Sequence, residues 1–246
     1  MADRNVVDHD ATLHLLREGT ITVEGQLIDA SNATLFGTVC LDGEAANCIY
    51  KPIAGERPLW DFPEGTLAGR EAAAWIVSEA MGWDIVPPTV FRDGPFGRGM
   101  CQLWIVVDET VDLVELARSD HPGLRRMSVF DAVINNADRK GGHLLPVPDG
   151  HVYGVDHGVS FHVEDKLRTV LWRWRGQALT AEARDSLVRL GVDLASSESE
   201  GLRGRLSPYL TRLEIARTAE RVQRMLDAGV HPMPSEDWPP VPWPPF

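Results

Sequence analysis

The sequence is short of lysine: of its 24 basic side chains only Lys51, Lys140 and Lys166 are lysines. Arginine serves wherever any cation will do, so a retained lysine asks for a reason, because a compact ammonium and a planar guanidinium bind different things. Cysteine is also sparse. Cys40, Cys48 and Cys101 are odd in number and lack paired metal-ligand spacing, which argues against a disulfide framework and a zinc site and leaves the expectation of buried, reduced thiols. No run of about 18 apolar residues is present to span a bilayer. Met1 to Asp10 has neither the basic start nor the apolar centre of a signal peptide, so the chain is expected in the cytoplasm. Positive charge is missing too. With a formal net charge of −12 there is no basic stripe to neutralise a nucleic-acid backbone or an anionic membrane surface, so neither is expected as a partner.

What is present describes a folded protein. Hydrophobic residues make up 43% of the chain and charged residues 24%, and 246 residues suffice for one two-lobed domain. Gly25 to Ile28, Thr34 to Leu41 and Ala46 to Lys51 read as short strands, the last two joined by an Asp42-Gly43 turn. After a proline-rich insertion, Leu67, Ala74, Val77 and Met81 share one helical stripe, which predicts a helix over Leu67 to Met81 stopped by Gly82. Pro87 to Phe91 and Met100 to Val106 read as a hairpin completing the sheet.

The pattern changes at an acidic hinge, Val107 to Asp112. Leu124, Met127, Phe130, Val133 and Ile134 then mark a buried helix that runs into a polar, glycine-containing loop ending at His143, the kind of segment that carries sites. Pro148-Asp149-Gly150 turns a second hairpin, and helical spacing returns over Ala181 to Leu190 and Leu210 to Ala228. The expected architecture is α+β. Residues 15–107 form a small antiparallel-sheet lobe with one main helix, and 108–231 a mostly helical lobe with a β-hairpin at its site. The tail, 232–246, holds seven prolines and two tryptophans and reads as an extended arm or a docking segment for a protein partner. His9, His14 and His231 fall in ends that read as loose and carry no expected role.

Four residues fall in an order that phosphoryl transfer would use. Lys51 closes an apolar strand, where its ammonium could reach nucleotide phosphates, and Glu71, 20 residues on, sits at the edge of the helix stripe as its anionic partner. Asp138 lies in the loop after the buried helix, and Asp156 follows the second hairpin, which folds the chain back. One carboxylate can orient an acceptor hydroxyl while the other holds Mg²⁺ against phosphates, and His143 is within reach of the same metal. Singly, each has a plain alternative: a solvated lysine or glutamate, a turn aspartate, a hairpin cap, a loop histidine.

With these residues in place the chain resembles the atypical kinase superfamily, most closely an uncharacterised actinobacterial family with a phosphatidylinositol 3- and 4-kinase-like domain. More distantly it resembles type II phosphatidylinositol kinases and HipA-type kinases. Ile49-Tyr-Lys-Pro-Ile-Ala-Gly-Glu-Arg-Pro58 resembles their lysine strand, and Asn136-Ala-Asp-Arg-Lys-Gly-Gly-His143 their catalytic loop. Tyr153-Gly-Val-Asp-His-Gly158 stands in the place of the Asp-Phe-Gly metal motif. The resemblance implies a bilobal protein-kinase-like fold that binds ATP with Mg²⁺ or Mn²⁺. Lys51 and Asp138 would be catalytic, Glu71 would anchor Lys51, Asp156 and His143 would hold the metal, and Ser31, Asn32 and Thr34 would form the phosphate-covering turn. Val106 and Asp108 would lie near adenine. His143 stands where the relatives place Asn. The activity implied is an ATP-dependent phosphotransferase acting on an unidentified protein or small molecule. The other readings are a nucleotide-binding regulatory pseudokinase, an AMP transferase on the same fold, and, least favoured, a metal-dependent hydrolase. All rest on Lys51, Asp138 and Asp156 converging on one cleft.

Overall fold

The computed structural model describes residues 9–27, 32–196 and 201–246. It divides into two compact units, Met1–Ala72 with Pro87–Trp104, and Ala73–Val86 with Ile105–Phe246.

The first unit begins with helix α1 (His9–Glu18), which buries Leu13 and Leu16. This helix corrects the expectation of a loose start: Leu13 and Leu16 stand one turn apart and give it an apolar edge. A five-stranded antiparallel sheet follows, built from β1 (Thr20–Gln26), β2 (Leu35–Leu41), β3 (Glu44–Pro52), β4 (Thr89–Gly94) and β5 (Gly97–Leu103) in the order β1-β2-β3-β5-β4. Asp42 and Gly43 form the two-residue turn between β2 and β3, both with positive φ, 50° and 91°. That is the backbone twist such a hairpin needs and the reason an Asp-Gly pair signals it. Cys48 and Cys101 are buried, whereas Cys40 is exposed, which corrects the expectation for that thiol: it lies near the end of β2, beside the turn.

Helix α2 (Leu67–Met81) has the bounds the apolar stripe predicts. Its first amides, of Leu67 and Ala68, donate to the Glu56 carboxylate at 3.2 and 2.8 Å, an acid placed where the helix dipole favours negative charge.

In the second unit, α3 (Leu113–Arg118) is capped by Asp112, and α4 (Pro122–Ile134) is almost wholly buried. It ends at Asn135, whose left-handed φ of 53° turns the chain into the loop carrying Asp138. The short pair β6 (Leu144–Pro146) and β7 (Val152–Gly154) is the second hairpin. Helices α5 (Ala181–Ala195), α6 (Leu202–Leu206) and α7 (Arg212–Ala228) complete the unit. Arg221 of α7 is buried and donates to Val133 O at 3.0 Å, His162 O at 3.3 Å and Thr218 Oγ1 at 3.0 Å, which ties α7 to the end of α4. His231 is buried rather than loose, with Nδ1 3.2 Å from Ser128 Oγ. Among the described residues no helix is long and apolar enough to cross a membrane.

Candidate active site

The lysine and its partner are set by strand alternation and helix periodicity. Ile49 and Lys51 are two apart on β3 and share a face of the sheet. Ile49, Met100 of β5 and Ala68 of α2 form one buried cluster on that face. Glu71 follows Ala68 by three residues, so the helical repeat brings it over the same face. Lys51 Nζ lies 2.6 Å from Glu71 Oε1, with 14% and 2% of the two side chains exposed. Gly99 of β5 makes this register possible: a Cβ there would collide with the Lys51 carbonyl and Pro52 Cα.

The turn expected to cover phosphates is described in part. Ser31 lies outside the described residues. Asn32 Oδ1 accepts from Arg57 N at 2.8 Å, and Ala33 N donates to Gly55 O at 3.0 Å, so the segment after the Lys51 strand supports this turn. Thr34 is buried and its hydroxyl makes a long 3.4 Å bond to Asn32 O.

In the second unit, Asp138, His143 and Asp156 come together. The Asp138 amide donates to Asn136 Oδ1 at 3.0 Å, the local turn that sets its carboxyl. Burial raises the Asp138 pKa above the ordinary carboxylate value; Lys140 opposes the rise, Asp156 adds to it and Arg168 opposes it. Lys140 Nζ lies 3.2 Å from Asp138 Oδ2. That cation was missed as a site residue, though the scarcity of lysine was a signal that pointed to it.

Asp156 adopts φ 61°, a left-handed conformation uncommon outside glycine and a mark of a position held by its surroundings. His143 Nε2 lies 3.4 Å from Asp156 Oδ2, and the Lys140 amide points to His143 Nδ1 at 3.5 Å. With Nδ1 accepting, the neutral ring carries its proton on Nε2 and donates to Asp156, so a metal role for His143 requires the other tautomer. Among the described residues no three His, Cys, Asp or Glu side chains are disposed to hold a metal by themselves. Two protein groups suit a cation that takes its other ligands from water and phosphate, as Mg²⁺ does. Asp156 can supply one such group, and His143 a second only in that other tautomer.

Beneath these loops lies a buried network that sequence reading did not find. Arg139 Nη2 and Asp131 Oδ1 pair at 2.9 Å with neither side chain exposed. Arg139 also donates to Val155 O at 3.0 Å and to His157 Nε2 at 2.5 Å, the residues on either side of Asp156. Asn136 Nδ2 donates to the same Asp131 at 3.0 Å. Thus one carboxylate on α4 holds Asn136 and Arg139, which bracket Ala137-Asp138, and, through Arg139, both neighbours of Asp156.

Comparison with solved structures defines the class: the fold is kinase-like. The chain superposes on the Golgi casein kinase with Mn/ADP bound with a TM-score of 0.61 at 15% identity, covering 89% of this chain and 75% of that one. It superposes on the Helicobacter pylori proinflammatory kinase CtkA with a TM-score of 0.52 at 11% identity, covering 87% and 94%. No family model matches the sequence. Protein Rv2133c of Mycobacterium tuberculosis is 44% identical over an alignment of 267 positions, gaps included, that covers 94% of each chain, and this chain belongs to the same family.

Proposed function

We propose that this chain is an ATP-dependent phosphotransferase acting on a protein or small-molecule acceptor. The observation that carries the reading is the Lys51–Glu71 pair, a strand lysine held at 2.6 Å by a buried helix carboxylate in a kinase-like fold. Glu71 fixes the ammonium, and Lys51 neutralises nucleotide phosphates. Ser31, Asn32 and Thr34 belong to the turn that covers them. A Mg²⁺ or Mn²⁺ ion held by Asp156, with His143 beside it, would draw charge from the phosphate oxygens. The Golgi casein kinase structure, which has Mn and ADP bound, supports a nucleotide and a divalent ion as cofactors. Asp138 orients the acceptor hydroxyl and takes up its proton, a task eased by the raised pKa that burial gives it. Lys140, beside it, balances negative charge on the group in transfer. The likeness of the Lys51, Asp138 and Asp156 motifs to phosphatidylinositol and HipA-type kinases supports these roles without naming a lipid as acceptor.

A second reading, a regulatory pseudokinase that binds nucleotide without turnover, is favoured by one observation: His143, 3.4 Å from Asp156, stands where the relatives place Asn and offers a metal no amide oxygen. AMP transfer is a third outcome on the same fold. Thermal denaturation with ATP and Mg²⁺ or Mn²⁺ tests the part common to all three. Saturation at 100 times the dissociation constant adds about 2.7 kcal/mol to stability. No shift with either ion sinks the nucleotide-site reading.

A further inference from the structure

The proline- and tryptophan-rich tail, expected to be an extended arm or a docking segment, is seated on its own unit. Pro245 O accepts from Gly141 N at 2.8 Å, and Pro240 O accepts from Thr169 N at 3.0 Å and from Trp172 Nε1 at 2.7 Å. The ring of Phe246 lies against Gly141 so closely that a Cβ at that position would collide with it. The Trp238 ring faces the Lys166 ammonium, 4.8 Å from its centroid.

The two amides that the tail satisfies are not arbitrary ones. Gly141 stands three residues after Asp138. Thr169 is bridged to Arg139, the residue next to Asp138, and the flanking amides of Arg139 and Val170 close that bridge with bonds of 3.1 Å to Arg168 O and Arg139 O. Both Gly141 and Thr169 are buried, where an N–H without an acceptor is costly. Proline suits the other side of these bonds. It has no N–H of its own, so a proline-rich strand offers acceptors only and matches a surface of unmet donors.

We propose that residues 238–246 are a positioning segment of the site: they hold the Asp138 loop and the 166–172 segment in the geometry that places the Asp138 carboxyl. The proposal rests on the reading of Asp138 as the residue that orients the acceptor. It makes Gly141 a required glycine because of what sits on it, since its backbone is not in the left-handed region. Pro240, Pro245 and Phe246 are positioning residues that touch no substrate.

Hydrogen exchange of the whole chain, compared with the chain lacking residues 239–246, tests this directly. Peptides covering 138–147 and 166–172 should exchange at least tenfold faster in the shortened chain, and peptides of the β2–β3 hairpin should not change. Gly141→Ala in the unshortened chain should raise exchange in the same peptides, and adding Phe246→Ala should restore part of the protection by removing the collision. Trp243→Ala is the control. That residue is 86% exposed, and exchange should be unaltered. In a label-transfer assay the shortened chain should lose about tenfold in kcat with KM for ATP unchanged. Unaltered exchange at both loops, or faster exchange with full kcat, overturns the proposal. Faster exchange at both loops while even the unshortened chain transfers no label supports the strap and removes the phosphotransferase reading instead.

Discussion

Arg139 and Asp131 form an ion pair at 2.9 Å in which neither side chain reaches solvent, and the residue preceding Arg139 is Asp138. Two charges are taken out of water here, and such a pair gains little over an apolar one of the same volume. Its value lies in direction: the planar guanidinium meets Asp131, Val155 O and His157 together, and so fixes the backbone on both sides of Asp156.

Arg139→Met leaves the Asp131 carboxylate buried without its cation and should cost about 3–5 kcal/mol. In thermal denaturation that is a fall of roughly 10 °C for a chain of this size. Arg139→Met with Asp131→Leu should recover most of the stability but not the site, because Val155 O and His157 lose their donor. A double variant that regains turnover along with stability would show that the pair is not what places Asp156.

Lys51→Met should abolish stabilisation by ATP and also lower the stability of the nucleotide-free protein by about 3 kcal/mol, since Glu71 is left buried and charged. Lys51→Met with Glu71→Gln separates the two effects. Denaturant midpoints without ATP should recover, and the ATP-dependent shift should stay absent.

Asp138→Asn should keep ATP binding and end turnover. The sign of its stability effect follows from the raised pKa. A carboxyl whose folded pKa lies above its unfolded value stabilises the fold while protonated and loses that contribution as pH rises through the folded pKa. At pH 7 the ionised form is therefore a cost, and the amide should make the protein slightly more stable. For the same reason the acidic limb of the pH–rate profile should lie above the ordinary carboxylate range. Denaturation at pH 7 and a kcat profile check the two halves.

His231 supplies a pH effect away from the site. Burial, then the charge of Arg125, lowers its pKa to about 4. The unfolded chain takes up a proton near pH 6.5, so the stability His231 contributes is complete above that value and is lost as pH falls toward 4. The loss should be on the order of 2–3 kcal/mol. His231→Asn should remove that part of the acid dependence, and parallel curves for the two proteins would contradict it.

Much of the sheet unit was legible because its signals are local. The Asp42-Gly43 turn is read from two residues and the Leu67–Met81 stripe from a single helix. Helix α1 was not, since its apolar edge is only Leu13 and Leu16. The site was legible as a set of carboxylates and a lysine, but not in what holds them. Arg139 read as part of the catalytic-loop motif, and nothing in its neighbours announces a buried partner eight residues earlier. The tail's composition identified an extended chain, yet composition carries no information about which surface it meets. Gly141 has the sequence context of an ordinary loop glycine, and the Phe246 ring that requires it comes from 105 residues further along the chain.

Label transfer from ATP tests the central claim most directly. Incubated with Mg²⁺ or Mn²⁺ and cell extract, the protein should move label from γ-labelled ATP to an acceptor and none from α-labelled ATP, and Asp138→Asn should move neither while still being stabilised by ATP. Label moving from the α position alone, or undiminished γ transfer by Asp138→Asn, would contradict the account.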